Sequence, residues 1–157
     1  MIWIKRFFLL ALLALIVIQF IPVERNQGGY RTLDPFLVET SPSPGVALTL
    51  EEACYDCHSA QTDYPWYGYV APLSFWLQDH IEMGKEHFNM SAWNSYSARK
   101  KEHKLAELIE EVKSGEMPLE SYALMHVGAH LDEDQIEALV LWAQAARMQY
   151  LVTDPPQ

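Results

Sequence analysis

The chain has 157 residues and a formal net charge of −10, room for one ordinary domain and a short appendage. The acidic balance argues against nucleic acid as a partner, since grip on a phosphate backbone comes from clustered Lys and Arg. Two cysteines, three apart at positions 54 and 57, are too few for a disulfide framework and leave a cofactor, a redox pair or a metal site.

At the N-terminus, Lys5 and Arg6 precede an apolar run from Phe7 to Val23 that is broken only by Gln19 and Pro22. Seventeen such residues reach roughly 25 Å, the short end of what spans a bilayer. The basic pair keeps the N-terminus on the cytoplasmic side by the positive-inside rule. Ile18–Val23 lacks the small residues a signal peptidase needs. Residues 1–23 therefore read as an uncleaved single-pass anchor in the cytoplasmic (inner) membrane, with the following domain on the periplasmic side. Beyond Arg6 there remain 9 basic against 21 acidic side chains, a formal −12. That charge serves solubility, or steers a basic partner protein.

Residues 24–47 contain Gln27-Gly-Gly29 and Ser41-Pro-Ser-Pro-Gly45 without sustained periodicity, and read as a linker. Residues 48–152 read as one helical domain. Thr49-Leu-Glu-Glu52 matches a capping box that would open a short helix running into Cys54. Pro72 suits the first position of a second helix, with Leu73, Trp76, Leu77 and His80 on one face and Gly84 near its end. A third helix covers about Ser97–Lys113, with Leu105, Leu108, Ile109 and Val112 at helical spacing and Gly115 as a stop. A last one begins at Asp132 with Gln135 three residues on, and buries Ile136, Leu139, Val140 and Ala143. No stretch alternates as a half-buried strand would.

The most specific motif is Cys54-Tyr-Asp-Cys57-His58, the Cys-x-x-Cys-His pattern of c-type haem attachment. Two thiols one helical turn apart can add to the two vinyl groups on one edge of a porphyrin, and the next residue's imidazole then meets the iron. A thioredoxin-like pair would need a strand leading into the motif, and a structural zinc site would need a second ligand pair. Neither is visible.

For the second axial position, Gly115-Glu-Met117-Pro118 places a thioether between a helix stop and a proline, off any apolar stripe. Met/His ligation raises a haem potential. The competing reading, Met as core filler, covers Met83, Met90, Met125 and Met148. His80, His87 and His126 are the alternatives to Met117. His80 shares a face with Leu73 and Trp76, as a core histidine would, and His126 could instead bond a propionate. The aromatics of Tyr64-Pro-Trp66-Tyr67-Gly-Tyr69, with Phe75, Trp76 and Trp93, suit either a porphyrin face or an ordinary core. His103, within the basic run Arg99–Lys104, reads as a solvated helix face.

These segments together resemble a small bacterial haem-binding domain family. The matching stretches are Gln19-Phe-Ile-Pro22, Cys54–Ser59, Tyr64–Tyr67, Ala71–Trp76, Gly84–His87, Asn89–Trp93, Gly115–Leu119, Ser121-Tyr122 and His126, with Val127 standing where the family often has Pro. The resemblance implies c-type haem binding in an all-α, cytochrome c-like domain. The expected assignment is one covalent haem c on Cys54 and Cys57, with His58 proximal and Met117 distal. The expected work is one-electron transfer between redox partner proteins at or near the membrane. A peroxidase-like haem enzyme, or a haem sensor with an open sixth position, is the alternative.

Overall fold

The computed structural model describes residues 2–153, and among them all regular structure is helical. In chain order the helices are α1 (Ile2–Ile18), α2 (Asp34–Thr40), α3 (Pro44–Ala53), α4 (Tyr55–His58), α5 (Leu73–His87), α6 (Ala98–Ser114), α7 (Glu120–Met125) and α8 (Glu133–Thr153). Short 3₁₀ turns at Tyr30–Leu33, Trp66–Tyr69, Met90–Ser95 and Val127–Ala129 link them.

Local chemistry sets these boundaries. Ser97 Oγ accepts from Lys100 N at 3.3 Å to open α6, and Gly115 closes it at φ 76°, a backbone state that suits glycine. Asp132 and Gln135 cap α8 reciprocally: Gln135 N donates to Asp132 Oδ1 at 2.8 Å, and Asp132 N to Gln135 Oε1 at 3.0 Å. At α3 the expected capping box does not form. Ser43 Oγ accepts from Val46 N with Pro44 at the first position, so the helix starts six residues earlier. Thr49 then lies inside the helix and donates to Gly45 O at 3.1 Å.

The core lies where α6 and α8 pack together and α2, α3 and the Met90–Ser95 turn close over them. Leu33, Phe36, Leu50, Trp93, Leu105 and Leu139 are all but fully buried there. Phe36 and Trp93 meet edge to face with centroids 5.1 Å apart. Trp142 Nε1 donates to Thr40 O at 2.9 Å, fastening α8 to α2. Leu33 and Phe36 thus belong to the core although the sequence around them is aperiodic. At 7 residues, α2 is too short to show a period. A smaller cluster of Tyr64, Tyr67, Leu77 and Ile81 packs beside Cys57.

The expected transmembrane anchor is corrected by α1. The helix runs from Ile2 to Ile18, 17 residues, or about 26 Å against a hydrocarbon core of roughly 30 Å. Among the described residues no helix is long and apolar enough to cross a membrane. The apolar run extends to Val23, but its last five residues are not helical. Gln19 leaves the helix axis: its Oε1 accepts from Ala71 N and its Nε2 donates to Ala71 O, both at 3.0 Å. The single-pass topology, and the inner-membrane placement with a periplasmic domain that rested on it, fall with the anchor.

Candidate functional site

Helix α3 ends at Ala53, and α4 is a single turn over Tyr55–His58. Cys54 therefore caps the turn that Cys57 and His58 close, His58 N donating to Cys54 O at 2.9 Å, and all three line a cavity of about 320 Å³. Its walls come from five parts of the chain: the α3–α4 corner, the His80–His87 side of α5, Val112 at the end of α6, the Met117–Tyr122 segment, and Leu131 before α8.

The histidine is pre-set. Its Nδ1 lies 3.0 Å from both Gly84 O and Phe88 O. Two carbonyls accept and cannot donate, so Nδ1 carries the proton and Nε2 keeps its lone pair for a metal. Burial holds the ring below its usual pKa, against the pull of the Phe88 and Gly84 carbonyls, and so favours the neutral ligand form.

The close approach of α5 to this turn depends on Gly84. A Cβ there would stand 2.7 Å from Cys57 O and 3.0 Å from Cys57 Cβ. Both cysteines are free, and burial pushes each thiol up to about 12, with the neighbouring Cys57 adding to it for Cys54 and Asp56 for Cys57. A redox-active pair has depressed thiol pKa values, so the thioredoxin-like reading loses ground. Among the described residues no three His, Cys, Asp or Glu side chains gather as a metal-ion site, which weighs against structural zinc.

The Met117 segment is fastened at two points. Glu116 N and Met117 N both donate to Glu111 O, at 3.1 and 3.2 Å, folding the chain back over the end of α6. Tyr122 Oη donates to Asp56 Oδ2 at 2.6 Å, tying α7 to the residue between the two cysteines. Asp56 Oδ1 accepts from Asp63 N at 2.7 Å. Burial raises the Asp56 pKa in spite of these two hydrogen bonds. The Tyr122 phenol is pushed far above its ordinary range by burial and by Asp56, so it stays a donor.

Met117, His80 and His87 reach the cavity that holds the thiols and His58. His126 does not. It stacks on Tyr122 at 4.0 Å and 16°, its Nδ1 donates to Tyr122 O at 3.0 Å, and it lines a separate, more open cleft of about 940 Å³. Its part is to back Tyr122. Sequence reasoning passed over Gly84 as a packing position and over the Asp56–Tyr122 tie. The second had one signal, Asp56 lying inside the motif.

A family model described as "Haem-binding domain" matches residues 13–145. The chain belongs to the haem-binding domain family. No curated protein and no solved structure matches it. The residues fit the group that the haem-binding domain takes. They provide an imidazole with a free, unprotonated Nε2, two neutral thiols on the same turn, a thioether, and walls of Ala53, Val112, Leu119 and Leu131 for a flat apolar ring system.

Proposed function

We propose that this haem-binding domain carries one covalent haem c and works as a one-electron carrier between redox proteins. One observation supports this above the rest: Cys54, Cys57, His58 and Met117, 63 positions apart from first to last, line a single cavity, and the Nδ1 of His58 is already engaged. Cys54 and Cys57 would hold the porphyrin edge as thioethers, His58 Nε2 would be the proximal ligand, and Met117 Sδ the distal one. When bound, the haem supplies an iron that takes up and releases one electron. The protein's residues hold the rest still. The Gly84 and Phe88 carbonyls orient His58, the Glu111 carbonyl and the Asp56–Tyr122 bond fix the Met117 segment, and the apolar walls exclude water. A filled sixth position suits a carrier, which changes charge without changing ligands.

Expressed with a c-type maturation system, the protein should keep its haem through acid–acetone extraction and denaturing electrophoresis. The ferric form should show the weak far-red charge-transfer band of thioether ligation, lost in Met117→Ala. Because His80 and His87 border the same cavity, the same spectrum in His80→Ala and His87→Ala separates Met/His from bis-histidine ligation. A wild type that binds carbon monoxide readily when reduced would favour the enzyme or sensor reading.

A further inference from the structure

The face of α5 that lines the haem cavity runs on past the cavity's edge. Leu73 and Trp76 stand 45 and 44 % exposed beyond that edge, on the same helix as Met83, which lines the cavity. By helical spacing they share a face with His80, Gly84 and His87 of the cavity wall. The Trp76 indole lies against the His80 ring, with centroids 4.3 Å apart at 45°, and His80 Nδ1 donates to Trp76 O at 2.9 Å. The two rings therefore form a fixed pair, one at the cavity and one in solvent. Beside this stripe runs an exposed row of carboxylates, Asp79, Glu82 and Glu86. Lys85, the one lysine or arginine of α5, is engaged by Asn26 Oδ1 at 2.7 Å on another side of the helix. Scattered apolar residues are ordinary on a surface, but an exposed Trp beside a row of carboxylates at the mouth of a cofactor cavity is how recognition sites are composed.

We propose that this face of α5, centred on Trp76 and rimmed by Asp79, Glu82 and Glu86, docks a one-electron redox protein that presents a lysine-rich surface. The Trp76–His80 pair is the way the electron enters the haem cavity. This rests on the electron-carrier reading and adds to it the place and sign of the contact. In the step, one electron leaves the partner's reduced metal centre and ferric haem becomes ferrous; no bond forms or breaks and no proton moves. Charge decides the occupant. A second copy would set one acidic row against another, on chains of formal charge −10 each, and like charges face to face suppress association.

The test uses the haem-loaded full chain and a lysine-rich mitochondrial-type cytochrome c as probe, with redox-inert zinc-substituted cytochrome c for calorimetric binding. Asp79→Asn/Glu82→Gln/Glu86→Gln should weaken binding at low salt about tenfold, flatten its salt dependence, and match wild type at high salt. Trp76→Ala should slow electron exchange at saturating probe about tenfold, with the haem spectrum and the rate with dithionite unchanged. Equal binding by wild type and the triple variant at low salt overturns the proposal. So does wild-type dimerisation on gel filtration that Trp76→Ala abolishes, which would make a second copy the occupant. If the spectrum itself is five-coordinate, the carrier reading fails first; if it is six-coordinate while every variant behaves as wild type, this inference alone fails.

Discussion

Gly84 carries more of the haem turn than its lack of a side chain suggests. It sits where α5 touches Cys57, and its carbonyl is one of the two acceptors that fix the His58 tautomer. Gly84→Ala forces a methyl to 2.7 Å from a backbone oxygen, which cannot rotate away. We expect a loss of about 2–3 kcal/mol in a denaturant titration of the haem-loaded protein, the range of overpacked sites. Gly45→Ala, with nothing within 4 Å of its added carbon, should stay within about 0.5 kcal/mol of wild type. At this scale the sequence was legible where chemistry has a spacing. The Cys54, Cys57, His58 pattern is such a case, and Met117 stood out between Gly115 and Pro118. Gly84 was readable only as a residue near a helix end, because close approach joins segments 27 positions apart and leaves no local period. His126 was a plausible ligand by its position after Met117. The turn at Tyr122 carries it into the other cleft, and no spacing rule reports that.

Helices α2, α6 and α8 meet at one carboxylate. Glu39 accepts from Lys101 Nζ at 2.7 and 2.9 Å and from Tyr150 Oη at 2.8 Å. Burial alone would raise the Glu39 pKa, yet the Lys101 and Tyr150 hydrogen bonds and the Lys101 charge bring it below the ordinary value. A depressed carboxylate stabilises the fold above its unfolded pKa and loses that contribution as pH falls through its folded pKa. Glu39→Gln should therefore cost about 1 kcal/mol at neutral pH. The gap should close below about pH 4, measured as paired urea midpoints at the two pH values. Helices α6 and α8 were readable from their caps and apolar stripes, each being long enough for several turns. Helix α2 was not, since its core residue Phe36 and its Glu39 act through partners more than 50 positions away.

For the molecule as a whole, the N-terminal reading went astray by counting. Apolar residues from Phe7 to Val23 matched a minimal span, but helix and apolar run are out of register: the helix starts at Ile2 and stops at Ile18. Its end falls at a tightened turn before Pro22, where Gln19 also pairs with Ala71, a contact 52 positions away that hydropathy does not contain. The two thiols make the other whole-molecule point: both are half-buried in the cavity wall, and desolvation pushes each up to about 12. In the haem-free protein, iodoacetamide at pH 7 should label Cys54 and Cys57 at least about a hundred times faster in urea than in buffer, scored by mass. Equal rates would mean that the turn is open before haem arrives. Under the proposed covalent attachment, thioether formation would draw on the same nucleophile, and a folded apoprotein with both thiols raised offers little thiolate at neutral pH. The proposed attachment would then have an order: the bonds would form on a nascent or loosened chain, and α5 would settle over the turn afterwards. On that order, a copy that folded too early would not be a spare waiting for cofactor but one that had to be reopened first.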